Sequence, residues 1–114
     1  MAVHATVVNN NDGRIATGKI TCASTPDIVD INIGFIPTYV HCWNVSSGGL
    51  VEFKWCLGQG SAYAFKTAAA GTTSVITSLG ITPSTVNDTF LGFYLGLDTD
   101  MNANGEIIYF MAIG

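Results

Sequence analysis

Charge is what this sequence has least of. Four Lys or Arg and eight Asp or Glu stand among 114 residues, so charged side chains make up 11%, where soluble domains typically carry about 25%. Nucleic-acid binding needs clustered cations to displace counterions along the phosphates. Arg14, Lys19, Lys54 and Lys66 are few and dispersed, and the net charge is −4 with a pI near 4.6. Long apolar runs are also missing: no stretch approaches the roughly 18 to 20 residues of a membrane span. The opening "MAVHATVV" has no basic segment followed by an apolar one, as a secretory signal requires. The sequence therefore predicts no nucleic-acid partner, no membrane partner and synthesis in the cytoplasm.

Catalytic equipment is equally sparse. His4 and His41 are the two histidines, each inside a strand-like pattern, and the sequence has no Gly-x-Ser-x-Gly elbow or phosphate-cradling Gly-x4-Gly-Lys-Ser/Thr loop. Gly58-Gln59-Gly60 lacks the third glycine and following helix of a dinucleotide fingerprint and reads as a turn. No acid–base pair is evident, so the expectation is a non-enzyme without a cofactor. Cys22, Cys42 and Cys56 are odd in number and lack the short paired spacing of a zinc site. They read as small buried hydrophobes, with a disulfide between two of them open in oxidising surroundings.

What is abundant is strand signal. "AVHATVV" (2–8) meets a turn at Asn11, Asp12 and Gly13, and "RIATGKITCA" (14–23) returns, with Gly18 as a candidate bulge. "STPD" (24–27) is a turn. In "DIVDINIGF" (27–35) Val29, Ile31, Ile33 and Phe35 alternate with Asp30, Asn32 and Gly34, the period of a strand with one wet face. Pro37 stops that strand or confines it to an edge. "TYVHCWNV" (38–45) places Tyr39, His41 and Trp43 opposite Val40 and Cys42. After "SSGG" (46–49), "LVEFKWCL" (50–57) places Val51, Phe53 and Trp55 opposite Glu52 and Lys54. Residues 38–57 thus read as an aromatic-rich hairpin.

"GQGSAYAFKTAAAG" (58–71) reads as a short strand with Tyr63 and Phe65, then a loop. "TTSVITSLGIT" (72–82) is another strand, and 83–87 a loop. "TFLGFYLGLD" (89–98) and "GEIIYFMAIG" (105–114) close the chain as strands joined by "TDMNANG", where Asn104-Gly105 carries hairpin chemistry. Eight to ten short strands without a convincing helix predict a single all-β domain over residues 1–114, an antiparallel β-sandwich or jelly roll.

Two constellations invite a function. Tyr39, His41, Trp43, Phe53, Trp55, Tyr63 and Phe65 form a candidate interface or aromatic face. Exposed rings stack on sugars, whereas rings shared between a core and an interface bury about 150 to 250 Å² each, and the second reading is favoured. In "DTDMNANGE" (98–106) Asp98, Asp100 and Asn102 alternate as hard-cation ligands do, with Glu106 as a further donor. Ala103 and Tyr109 stand where a calcium loop wants Gly and a bidentate Glu, so a solvated hairpin tip is the favoured reading and weak ion binding the alternative. Two glycosylation-like triplets, at Asn44 and Asn87, are short enough to arise by chance.

A small domain keeps much of its chain at the surface. With so few ions to place there, part of the exterior must be apolar, and contiguous apolar surface marks a partner's footprint. The expected partner is the chain itself, in a dimer or trimer.

The stretch "INIGFIPTYVHCWNVSSGGLVEFKWCLGQGSAYAFKTAAAGTTSVITSLGI" and the ending "GFYLGLDTDMNANGEIIYFMAIG" together resemble small structural proteins encoded in the virion gene clusters of tailed bacteriophages. The shared pattern is Gly-Phe-x-Pro-x-x-Val, an aromatic strand, a Glu-x-x-Trp strand, a Lys-Thr-Ala turn ending in Gly, and a terminal apolar strand. Gly34, Phe35, Pro37, Val40, Glu52, Trp55, Lys66, Thr67, Ala68 and Gly71 carry it, within residues 31–114. The resemblance implies a capsid cement or decoration protein, made in the host cytoplasm, located on the capsid exterior and bound to a major capsid protein lattice. The alternative is a tail-tip or fibre head domain that binds a host surface carbohydrate through Trp43, Trp55 and neighbouring Asn residues.

Overall fold

Alternation of apolar and polar side chains yields strands along nearly the whole chain. In the computed structural model the described residues are 5–11, as backbone alone, and 15–22, 28–45, 50–102 and 105–114. Among them are nine strands and no helix: β1 (Ala5–Asn11), β2 (Ile15–Thr21), β3 (Val29–Asn32), β4 (Tyr39–Asn44), β5 (Val51–Cys56), β6 (Tyr63–Thr67), β7 (Thr73–Pro83), β8 (Gly92–Leu95) and β9 (Ile107–Ile113). They form one sheet in the order β1-β2-β9-β4-β5-β6-β7-β8-β3, every neighbouring pair antiparallel.

That single sheet curls over on itself. Cα atoms of the edge strands β1 and β3 come within 8 Å of each other, and the rings of Phe93 in β8 and Phe110 in β9 meet edge-on at 5.6 Å although their strands are far apart in the sheet. The inner faces of the two halves therefore pack together as in a sandwich. Ala16, Ile20, Val40, Cys42, Phe53, Trp55, Ile108 and Phe110 come from one half, and Val29, Ile31, Ile81, Phe93 and Leu95 from the other, all buried. The predicted all-β, antiparallel, sandwich-like fold is the observed one.

Close backbone approach decides one position in this packing. A Cβ added at Gly92 would lie 1.8 Å from the carbonyl oxygen of Ile31, on the neighbouring edge strand. Ser84 fastens the same place, its hydroxyl accepting the Gly92 N–H at 2.8 Å while its own N–H donates to the Gly92 carbonyl at 2.8 Å.

Several local expectations need correction. The last two strands are not a hairpin: β8 lies between β7 and β3, whereas β9 lies between β2 and β4. The segment between them is a crossing connection, stiffened by a turn in which the N–H groups of Met101 and Asn102 both donate to the Asp98 carbonyl. Asn11 belongs to β1, paired with Ile15, and residues 12–14, where the rest of that turn was expected, lie outside the described residues, as do 23–27 and 46–49 and His4. Gly18 pairs regularly with Phe110; the irregularity near it falls on the partner strand, between Val7 and Asn9. Cys22 and Cys42 are buried and burial pushes the Cys42 thiol up, but Cys56 is exposed because its side chain falls on the outer side of β5.

β7 is divided. Its first part pairs only with β6, from Thr73 opposite Thr67 to Ile76 opposite Ala64. Residues 77–79 then bulge out, with Leu79 at φ 65°; Gly80 is back in the sheet, its N–H donating to the Ala62 carbonyl and its carbonyl accepting from the Gly96 N–H, before Ile81 pairs with both Tyr63 and Leu95.

Candidate functional site

The outer side of the sheet centre carries the side chains that the core does not take. In β4, Tyr39, His41 and Trp43 point outward while Val40, Cys42 and Asn44 point in, and the whole strand is sandwiched between β5 and β9. Register then fixes their neighbours. His41 stands between Lys54 and Met111, Trp43 between Glu52 and Tyr109, and Tyr39 between Cys56 and Ile113.

The contacts within this face are specific. His41 Nε2 lies 2.8 Å from Glu52 Oε1; a carboxylate only accepts, so the ring donates from Nε2. Lys54 Nζ stands 3.9 Å from the same oxygen. The His41 ring lies 4.8 Å from Trp43, and Trp43 lies 6.2 Å from Tyr109, both tilted. The result is a partly exposed aromatic ledge braced by the His41–Glu52–Lys54 row. It is extended by Met111 and by the exposed side chains of Ile15, Ile113, Phe65 and Val75.

The structure divides the seven residues expected to share a face. Tyr39, His41, Trp43 and Phe65 lie on the outer side. Phe53 and Trp55 are buried in the core, because alternation turns them inward wherever Glu52 and Lys54 turn outward, and Trp55 donates its indole N–H to the Gly60 carbonyl at 2.9 Å. Tyr63 packs half-buried against the core. Trp43 and Trp55 thus lie on opposite sides of the sheet, and Trp55 offers no surface to a sugar.

Tyr109 and Met111 complete the ledge and were not singled out in the sequence. The signal was present: in "IIYFMAI" both alternating sets are apolar, which marks a central strand whose outer face is covered or sticky as well as its inner one. Asn44 is the other omission, a polar residue at an inward position. It is buried, its Nδ2 donating to the Asp100 carbonyl at 2.9 Å and to Glu106 Oε1 at 2.7 Å. That amide fastens the crossing connection to β4 and is not presented as a glycan acceptor.

The Asp98 loop holds a cation of its own. Lys66 Nζ donates to Asp98 Oδ1 and Oδ2 at 3.0 and 2.9 Å and to Asp100 Oδ2 at 2.8 Å. Asn102 turns inward, donating to the Gly96 carbonyl at 3.0 Å, and Glu106 is engaged by Asn44. The four candidate ion ligands are therefore not brought around one point. Neither is this a hairpin tip: it is a loop clamped to β6. Burial pulls the Lys66 pKa down, but the hydrogen bonds and charges of Asp100 and Asp98 outweigh it and hold the ammonium above its ordinary value. Among the described residues no group of three His, Cys, Asp or Glu side chains is placed to hold a metal ion, and no helix is long and apolar enough to cross a membrane.

Compared with protein-family models, curated proteins and solved structures, the chain matches none. Function is then a question for the surface itself. The motif residues Phe35, Pro37, Val40 and Trp55 are buried, and Lys66 clamps a loop, so that motif specifies architecture more than contact chemistry. The ledge is an aromatic-rich surface that the fold leaves partly open to another molecule.

Proposed function

We propose that this chain is a structural component of a tailed-bacteriophage virion, a cement or decoration protein that docks on the assembled head lattice and associates with its own copies. The observation that carries the proposal is the outer ledge of Tyr39, Trp43, Tyr109 and Met111, flanked by exposed Ile15, Ile113 and Phe65, on a chain with little charge to keep such a face in water. The order of motifs from Gly34 to Gly71 supports the same reading. Binding only the assembled, expanded lattice stabilises that state by mass action, repeated at every site, and attachment through more than one copy strengthens each contact. Flat aromatic side chains suit this task, since they bury large area at little entropic cost.

The test is cosedimentation with emptied, undecorated heads. The wild-type chain is expected to pellet saturably with them, and Trp43→Ala to weaken binding about tenfold or more while melting as the wild type does. Saturable binding to host cells that free sugar competes away, with no affinity for heads, would overturn the proposal in favour of a carbohydrate-binding tail domain. The split between Trp43 and Trp55 already removes half of the aromatic pair that such a domain was expected to use.

A further inference from the structure

The first part of β7 has an open edge. Thr73 to Ile76 pair with β6 on one side, and β8 begins to pair only at Ile81, so nothing in the chain's own sheet meets the other side between Thr73 and Ser78. All the side chains of that segment except the half-buried Ile76 are exposed. Folded proteins guard such edges with charges, prolines, very short strands or covering loops. Here the first two guards are missing, because the sequence carries no charged residue from Thr67 to Asn87 and the nearest proline is Pro83.

We infer that this edge is where a second copy adds, its Thr73–Ile76 segment running antiparallel to the first across a two-fold axis, so that two sheets become one. This rests on the self-association proposed above and names the surface that carries it. Alternation says which groups are available. The Ala68 N–H donates to the Thr72 carbonyl, so along this antiparallel pair Ser74 and Ile76 direct their backbone groups to β6, while Thr73 and Val75 direct theirs to the open side. Pairing the edge with itself then sets Val75 against Val75 on the axis, with Ser74 opposite Ile76.

Two features favour the chain's own copy over an unrelated segment. An uncharged edge meets itself without placing like charges opposite each other, whereas most edges with a charge on them cannot. Phe65 and Val75 are cross-strand partners on the outer face, 48% and 52% exposed. Across the axis they would continue into the copy's Val75 and Phe65, covering a row that the single chain leaves wet. The bulge at 77–79 ends the edge and fixes the length over which copies can zip.

Charge reversal at the axis is the test, read by sedimentation velocity over a concentration series. Wild type is expected to associate into dimers or larger even-numbered species. Val75→Lys and Val75→Glu each place two like charges face to face and should weaken association about a hundredfold, with unchanged circular dichroism and Trp55 fluorescence. Mixing the two variants should restore association. Val75→Pro removes an N–H that β6 does not use and should give a folded single chain. Variants that associate as wild type does, or a mixture that fails to recover, would overturn the edge while leaving head binding untouched. A wild type that stays at 12.0 kDa at every concentration would overturn self-association as well; its binding to heads would then decide the cement reading separately.

Discussion

Two tryptophans close in sequence do different work, and the difference is one of parity. Trp55 fills the core and Trp43 lies on the ledge. Trp55→Ala is expected to lose about 3 to 5 kcal/mol, the usual cost of removing a buried large aromatic, and the Gly60 carbonyl loses its indole partner. Trp43→Ala should change stability by less than about 1 kcal/mol. Urea titrations followed by circular dichroism check both. Lys66 gives a prediction with a pH sign. Its folded pKa lies above the ordinary lysine value of 10.5, so the clamp's contribution is fully present below that value and is lost as pH rises through the folded pKa. Lys66→Met, which leaves Asp98 and Asp100 facing each other, should be less stable by about 2 kcal/mol near neutrality. The deficit should shrink in melts recorded above pH 10.5. Alternation made the sides of β4 and β5 legible in the sequence. The Lys66 clamp was not, because its partners are 32 and 34 residues away in the chain and no local pattern encodes their meeting.

Elements were readable where pattern and turn agree, and misread where a turn signal was given too much weight. The β4–β5 hairpin and the short β6 with Tyr63 and Phe65 follow from alternation and glycine breaks. Asn104-Gly105 suggested a hairpin between β8 and β9, yet Gly105, at φ 69°, serves a crossing connection. The information that decides between the two lies in β9 itself: a strand apolar on both sides belongs at a sheet centre, between β2 and β4, and a four-residue β8 with buried Gly92 belongs near an edge. Gly92 tests that assignment. An added methyl meets backbone and not a flexible side chain, so Gly92→Ala should force β3 away from β8. The expected result is a loss of several kcal/mol, about 3 or more, with faster amide exchange concentrated at Val29 to Asn32. An equal loss of protection across all strands would mean that β3 does not open as a separate edge.

At the scale of the molecule, scarcity of charge has a consequence for how attachment responds to solvent. Contacts dominated by ions weaken steeply with salt, because screening shortens their reach to about 3 Å at 1 M. A ledge of Tyr39, Trp43, Tyr109 and Met111, with the His41–Glu52–Lys54 row already satisfied within the chain, has little to lose by screening. Raising salt from about 0.05 to about 0.5 M should therefore change the apparent Kd for undecorated heads by less than about threefold. Calorimetry of the same binding should show a negative heat-capacity change, the mark of apolar burial. A steep salt dependence would place the docking surface elsewhere, as at Asp30 and Asp88, which both lie near Tyr94. The distinction matters because an apolar ledge and an uncharged edge are hazards for a free chain. On the proposed reading they become assets, because a lattice and neighbouring copies would cover both, and the deficit of charge would serve assembly.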